Sequence, residues 1–367
     1  MPPRTSHWIV RRLSHLDGIL LLLVLAVLGI SLAVVASASG QSPARITGHL
    51  INIGLALSVM VVMANVPPHI LSKVGPPLYA AGVVLLIGVA LFGEIRNGSR
   101  RWLNLGFMAF QPSELLKLAL PLMLAWYFQR NEAILRAKHY SIGGLLLLVP
   151  FLLTLRQPDL GTALMLGASG FYLLFFAGLP WKAIFGGATL GAASLPVVWG
   201  MMHDYQHRRV LTLLDPTADP LGDGYHIIQS TIAIGSGGLF GKGWMQGTQN
   251  QLDFIPERTT DFIYAVFGEE FGYAGAIILV GLYLAIVARG LIIAARAPTL
   301  FGRLMAATLS LNLFTYVFVN MGMVSGILPV VGVPLPLMSY GGTALITLLL
   351  GVGILMSVAS HRQLNKT

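Results

Sequence analysis

Ten long apolar runs dominate this chain and restrict what it can fold into. Their approximate bounds are 16–37, 47–66, 76–93, 112–128, 141–155, 160–179, 183–202, 263–288, 303–323 and 340–359. A helix of about 20 apolar residues crosses the roughly 30 Å of hydrocarbon in a bilayer. It also satisfies its backbone hydrogen bonds internally, as lipid requires. The sequence therefore predicts an all-α fold, a polytopic integral membrane protein with about ten transmembrane helices.

The composition argues against a soluble basic protein. Only 10% of the residues are charged, against about 25% in a soluble globular domain. The net charge of +9 would suggest nucleic acid in a soluble chain, but loop Lys and Arg residues mainly orient a membrane protein. We therefore expect no nucleic-acid partner. The absence of cysteine excludes disulfides and thiolate chemistry.

The loops on the two sides of the membrane differ in charge. With the N-terminus inside, thirteen Lys and Arg residues fall on the inner side and nine on the outer side. By the positive-inside rule, this places both termini in the cytoplasm. Most acidic residues fall on the outer side. Charge gathered at one face indicates chemistry at the outer surface, whereas a transporter would spread charge along its spans.

The longest loop, residues 203–261, interrupts what is otherwise a single membrane domain over 1–367. Loops of this length are usually functional or disordered. This loop carries large apolar residues and six glycines between positions 235 and 247. We expect a structured extracytoplasmic layer with short helices.

Two ionisable residues lie near the start of the fourth run, where 112–117 reads Pro-Ser-Glu-Leu-Leu-Lys. Glu114 and Lys117 are three apart and share a helix face, and Lys117 lies about 7 Å into the span. Ionisable groups at this depth are costly and usually face a cavity or a partner. The pair either pins helices together or binds substrate, since an ammonium beside an outer cavity suits a pyrophosphate.

Residues 96–104, just before this run, combine basic residues with a tryptophan. Trp102 either anchors the chain at the membrane interface or stacks on a sugar. In the second case, Arg101 would bind phosphate.

Two aspartates precede helices at the outer face. Asp159 lies at a tight junction between two runs, and Asp261 lies where the long loop re-enters the membrane. Each is either a helix N-cap or an acid of the site. A carboxylate at the half-desolvated start of a helix, facing a basic cavity, is a candidate general base, and Asp261 fits that description.

Residues 325–342 are too apolar for an ordinary loop, yet they contain three prolines that bar a helix. Irregular backbone at membrane depth is tolerated where it is buried or lines a cavity. We therefore expect this segment to dip back and form a cavity wall.

Two apparent motifs fail. Residues 236–243 lack the first Gly and the final Ser or Thr of a phosphate loop. The two histidines of 203–207 have the spacing of a zinc helix, but two arginines follow directly and would repel a dication.

Taken together, these segments resemble the SEDS family of shape, elongation, division and sporulation proteins. The resemblance covers nearly the whole chain, and the short N-terminal segment is more like the elongation branch than the division branch. His226 departs from the pattern, since relatives often carry Gln there. The matching residues are Arg101-Trp102, Gln111-Pro112-Ser113-Glu114 with Lys117, and the segments 157–161, 235–247, 256–270 and 334–342.

The resemblance implies an inverting peptidoglycan glycosyltransferase of the bacterial cytoplasmic membrane. Such an enzyme polymerises lipid II at the outer face, displaces undecaprenyl pyrophosphate and serves cell elongation and rod shape. Asp261 would be the essential carboxylate, and Glu114 and Lys117 the paired cavity residues. The expected substrate-binding set comprises Lys117, Glu114, Arg101, Trp102, Asp159, Gln111 and Ser339.

The resemblance also implies partners: a class B penicillin-binding protein acting as transpeptidase, the elongation machinery, lipid II and undecaprenyl lipid. No nucleotide is needed, because the donor already carries a pyrophosphate. A divalent cation, Mg²⁺ or Mn²⁺, would help to stabilise the departing charge.

Two alternatives belong to other functional classes. A flippase or transporter for the lipid-linked precursor predicts charge distributed through the spans. A noncatalytic scaffold for cell-wall enzymes predicts that loss of Asp261 is tolerated.

Overall fold

The computed structural model describes residues 16–96, 99–104, 109–157, 159–202, 204–218 and 222–361. Within these ranges, ten helices have 17 or more residues, one for each predicted apolar run. They are α1 Gly18–Ala38, α2 Pro43–Ala64, α3 Pro68–Phe92, α4 Pro112–Arg130, α5 Ala137–Arg156, α6 Leu160–Phe176, α7 Trp181–Met201, α11 Ile263–Ala295, α12 Leu300–Val324 and α13 Gly342–Ser360. Three shorter helices lie between α7 and α11: α8 Asp204–Leu214, α9 Asp223–Ser236 and α10 Thr248–Gln251.

The long helices have the character of membrane helices. Seven of those described are long and apolar enough to cross a bilayer by length and composition, and α6 is apolar but has 17 residues. Large apolar side chains such as Leu22, Val84 and Ile278 are exposed on the outside of the bundle. Lipid tails can cover such a surface, whereas water would make it costly. The predicted all-α polytopic membrane fold is confirmed.

Two helix boundaries were predicted wrongly, since α11 continues to Ala295 where its apolar run ends near residue 288, and α3 begins earlier than its run. The third apolar run predicts a helix that begins near residue 76, but α3 begins at Pro68 and continues through Pro76 and Pro77. Interior prolines are tolerated in membrane helices because neighbouring groups satisfy the freed backbone atoms. The prolines therefore lie inside this helix and do not mark its start.

Pairs of adjacent helices form the core. Helix α2 packs on α13, and α3 packs on α4. Helix α11 packs on both α12 and α1, and α6 packs on both α5 and α12. Small residues permit the closest approaches, as expected in a membrane bundle: a Cβ added at Gly353 would lie 2.6 Å from the Met60 carbonyl oxygen. Helix α7 lies at the periphery, with mostly exposed side chains.

The 203–261 segment is structured, as expected. Helices α8, α9 and α10 lie in it, and several hydrogen bonds fasten it to the bundle. Trp244 Nε1 donates to the Ala33 carbonyl (2.9 Å) and Arg258 Nε to the Ala38 carbonyl (2.7 Å). Lys242, the lysine of the rejected phosphate-loop motif, pairs with the buried Glu269 at 2.8 Å. The end of the bundle that carries this segment is called the loop end below.

A small antiparallel sheet, absent from the sequence prediction, precedes α4. Its strands are β1 Glu94–Arg96, β2 Ser99–Asn104 and β3 Ala109–Phe110, in the order β1-β2-β3. With two to six residues each, these strands carry too short an alternating pattern to be recognised. The sheet lies at the loop end and leads directly into the first turn of α4.

Candidate active site

A cavity of about 260 Å³ opens in the bundle where α4, α6, α12 and α13 meet the 325–341 segment. Because the long helices alternate in direction, α4, α6 and α13 all begin at the loop end. Their N-terminal turns therefore surround one space. The polar residues lining it are Gln111, Glu114, Lys117, Asp159, Thr162, Ser169, Asn312, Tyr316, Thr343 and Thr347.

Glu114 and Lys117 form the predicted pair on α4. Lys117 Nζ donates to Glu114 Oε1 at 2.5 Å, and both side chains are largely buried. The ammonium also lies 5.5 Å from the ring centroid of Tyr316, within cation–π distance. The pair thus joins α4 to α12, while both members remain part of the cavity lining.

Asp159 caps a helix and lines the cavity at the same time. Its Oδ1 accepts from the Thr162 backbone N–H at 3.1 Å, which is an N-cap contact for α6. Its Oδ2 accepts from Gln111 Nε2 at 3.2 Å. The two interpretations of Asp159 as a cap and as an acid of the site are therefore compatible.

The deeper part of the cavity is mostly apolar, with walls that include Leu309, Val352 and Leu355, and its polar exception is the hydrogen-bonded pair of Asn312 and Ser169. Four of its lining residues, Thr343, Thr347, Gly351 and Leu355, lie four apart along one face of α13. Twelve residues of helix span about 18 Å, so the cavity follows α13 far from the loop end. Polar groups at one end and apolar walls at the other suit a ligand with a charged head and a hydrocarbon tail.

Asp261 lies at the rim of this cavity, in the turn before α11. It is not itself part of the lining, but its Oδ2 would lie 3.4 Å from a Cβ added at Gly332, which does line the cavity. The N-cap of α11 is Phe262, and no side chain caps that helix end. The structure thus disfavours the interpretation of Asp261 as a cap and leaves its carboxylate beside the cavity wall.

The environment of Asp261 changes its acidity. Burial raises the pKa of its carboxyl group from 3.8 to about 7, and the negative charge of Glu257 adds to the rise. Since a general base works best with a pKa near the working pH, this carboxylate is suited to accept a proton at neutral pH.

The 325–341 segment is non-helical, as predicted, and part of it forms a cavity wall. Gly332, Val333 and Pro334 line the cavity, and Gly332 has a φ of 69°, which favours glycine. Ser339 is placed differently from its prediction. It is buried, its hydroxyl donates to the Thr260 carbonyl (2.7 Å) and it accepts from the Leu335 backbone N–H (2.8 Å).

Ser339 therefore joins two main-chain segments and is not among the residues that line the cavity. Its expected contact with substrate is not supported, because both hydrogen-bonding partners of the hydroxyl are backbone groups.

Comparison with known proteins identifies the family. The profile of the FtsW/RodA/SpoVE cell cycle proteins matches residues 14–364. The chain belongs to this family.

Individual members are similar over nearly the whole length. The peptidoglycan glycosyltransferase MrdB of Escherichia coli K12 is 53% identical over 351 residues, 95% of each chain. A chain from a peptidoglycan synthase complex that coordinates polymerisation and crosslinking superposes with a TM-score of 0.81 at 37% identity, covering 95% of this chain and 98% of that one. The crystal structure of Thermus thermophilus RodA gives a TM-score of 0.72 at 31% identity, covering 95% and 98%.

Two predicted site residues of this FtsW/RodA/SpoVE family member have side chains that the structure does not describe. Arg101 and Trp102 lie on β2, where only the backbone is described. Their contacts with a headgroup or sugar remain predictions.

Sequence reasoning missed several polar residues on α12. Tyr316 and Asn312 line the cavity, and Asn320 contacts the turn that carries Asp261. They lie inside an apolar run, where a single polar residue gives no periodic signal. Only the cost of burying an amide in lipid could have drawn attention to the two asparagines.

Proposed function

We propose that this chain is a peptidoglycan glycosyltransferase that polymerises lipid II, with Asp261 as the general base. The observation that carries the proposal is the placement of a desolvated carboxylate at the rim of a cavity with a charged head end and mostly apolar walls deeper in the bundle. The names of the family members add support from their own activity.

The chemistry requires one proton acceptor and a stabilised leaving group. The acceptor sugar hydroxyl attacks the anomeric carbon of the donor and loses its proton to the Asp261 carboxylate. A new C–O bond forms while the bond from that carbon to the pyrophosphate breaks. Attack opposite an α-linked pyrophosphate inverts the carbon and gives a β linkage, and undecaprenyl pyrophosphate leaves with the bonding electrons.

The head end of the cavity is suited to the pyrophosphate. Lys117 provides an ammonium in a partly desolvated position, where a charge stabilises a developing anion more than it would in water. The N-terminal turns of α4 and α6 add the positive ends of two helix dipoles. The apolar wall along α13 would hold part of the polyprenyl tail.

A divalent cation would find few ligands from the protein itself. No group of three or more His, Cys, Asp or Glu side chains suitable for a metal occurs among the described residues. A cation would therefore need the pyrophosphate of the substrate for most of its ligands, and the steps above do not use one.

We place the reaction at the outer face of the bacterial cytoplasmic membrane, with both termini in the cytoplasm. The excess of Lys and Arg on the loops opposite the loop end supports this orientation. A reporter inserted in the 203–261 segment should report from outside the cell, and a cytoplasmic signal there would reverse the orientation and remove the outer-face mechanism.

A class B penicillin-binding protein is the proposed partner, within the elongation machinery. The support is the structural neighbour, which belongs to a complex that coordinates polymerisation with crosslinking.

The deciding experiment is polymerisation of purified lipid II by the purified protein, with and without its partner. Asp261→Asn should fold and bind the partner but lose about 10²–10⁴-fold in rate. Near-normal glycan synthesis by this variant would refute the general-base assignment. Transfer of lipid II across vesicle membranes without polymer formation would instead support a flippase. If the protein shows neither polymerisation nor transfer, the noncatalytic scaffold is the function that fits.

A further inference from the structure

The turn that carries Asp261 is held by three successive hydrogen bonds. The carbonyls of residues 259, 260 and 261 accept, in order, from the Tyr340 backbone N–H (2.8 Å), Ser339 Oγ (2.7 Å) and Asn320 Nδ2 (2.8 Å). Two donors belong to the 325–341 segment and the third to α12. The main chain beneath the carboxylate is thus fixed at every residue.

Asn320 has the central place in this arrangement. Its Nδ2 donates a second hydrogen bond, 2.6 Å long, to the carbonyl of Val333, which lines the cavity. One amide group therefore links the Asp261 turn to the wall that its carboxylate faces. The side chain has no solvent exposure, so both bonds are shielded from competing water.

Packing alone does not account for an asparagine at this position. An apolar side chain of similar size would fill the same space without burying an amide. Asn320 Oδ1 is buried and has no hydrogen-bond partner among the described residues, which adds to the cost of the amide. The two donated bonds are what an asparagine supplies here and a leucine cannot.

We propose that Asn320 is a positioning residue for Asp261: together with Ser339, it fixes the turn so that the carboxylate lies against Gly332 at the cavity rim. This inference rests on the proposed function, because it assigns Asn320 to the same proton transfer. Asn320 acts through the main chain and touches no reacting atom.

The test is Asn320→Leu, assayed as purified protein with purified lipid II over a range of pH. Misplacing a reacting group by about 1 Å can cost about 10²-fold, so kcat per folded molecule should fall by ten- to a hundredfold while KM stays unchanged. A looser turn also admits water to Asp261, so its pKa should fall towards the ordinary value. The acidic limb of the pH–rate profile, where the rate rises as Asp261 loses its proton, should then move to lower pH.

Leu304→Ala provides the matched control. Leu304 is buried on the same helix, but it neither lines the cavity nor contacts the turn that carries Asp261. This variant should lose stability while keeping the wild-type kcat per folded molecule and the same acidic limb. If Asn320→Leu behaves like this control, or like the wild type, the positioning role is overturned.

Ser339→Ala provides a second measurement should Asn320→Leu not fold. It removes one hydroxyl together with its bonds to the Thr260 carbonyl and the Leu335 N–H, and it should move the acidic limb in the same direction by a smaller amount. If a folded Ser339→Ala protein has the same acidic limb in its pH–rate profile as the wild type, the proposed role of these hydrogen bonds in positioning Asp261 is contradicted.

Failure of the proposed function gives a different pattern. If Asp261 is not the base, Asp261→Asn polymerises lipid II nearly normally, and the wild type shows no acidic limb from this residue. If Asp261 is the base but Asn320 does not position it, Asp261→Asn is inactive while Asn320→Leu keeps the wild-type kcat and pH profile.

Discussion

Gln111 Nε2 lies 3.2 Å from Asp159 Oδ2, and this hydrogen bond joins the start of α4 to the start of α6 at the head of the cavity. The other oxygen of the same carboxylate caps α6 through Thr162. One side chain therefore closes a helix end and connects two cavity walls.

Substitutions at Asp159 should separate its cap from its charge. Asn caps a helix about as well as Asp, whereas Ala loses about 1 kcal/mol. We expect Asp159→Asn to keep the wild-type melting temperature and Asp159→Ala to lower it. Asp159→Asn removes the carboxylate that orients the Gln111 amide at the head of the cavity, and because misplacing a binding group can cost up to about 10²-fold, this variant should lower kcat/KM for lipid II by about tenfold or more. Wild-type activity in this variant would show that Asp159 serves only as a cap.

The rate of polymerisation should depend on the ionisation of Asp261. With the pKa of this carboxyl near 7, activity should rise as pH increases through 7, since only the carboxylate accepts a proton. The negative charge of Glu257 contributes to the raised pKa, so Glu257→Gln should move the acidic limb to lower pH. Asp253→Asn removes the same charge from the same loop, but Asp253 is not among the groups that raise the pKa of Asp261, so it is the control and should leave the limb in place. Equal limbs in Glu257→Gln and wild type would contradict the electrostatic coupling.

The raised pKa of Asp261 has a consequence for stability. Between pH 3.8 and about 7, the folded protein keeps a proton on Asp261 that the unfolded chain releases, so the stability contributed by this group falls as pH rises through that window. Asp261→Asn removes the cost of the buried charge. It should raise the melting temperature at pH 8 relative to wild type and change it little at pH 4. The same shift at both pH values would show that burial does not penalise the charged form.

The sequence was sufficient for the membrane helices and for part of the site. Runs of about 20 apolar residues give the strongest structural signal in a sequence, and each of the ten runs became a helix. The i, i+3 spacing of Glu114 and Lys117 predicted their contact because both lie on one helix face. Asp159 was also placed correctly at a helix start, since Asp before an apolar run is a typical cap.

Contacts that depend on tertiary packing were not predictable. Tyr316 lies beside Lys117 only because α12 packs against α4. Ser339 was expected to meet substrate, yet it bonds to the Thr260 carbonyl because the non-helical segment folds back onto that turn. No spacing along the chain relates residues so far apart.

The Glu114–Lys117 pair should affect folding and catalysis separately, and three variants distinguish the two effects. Removing one member strands a charge in a low-dielectric site, which typically costs about 3–5 kcal/mol, so Lys117→Ala and Glu114→Gln should both lower the melting temperature. Lys117→Ala should reduce kcat further, because it also removes the ammonium that we propose binds the pyrophosphate. The double variant Glu114→Gln with Lys117→Met removes both charges of the pair and should regain much of the stability while remaining nearly inactive. Arg289→Ala breaks the Asp17 pair far from the cavity, and it should lower stability without changing kcat per folded molecule. If the double variant polymerises lipid II like the wild type, the pair is structural only.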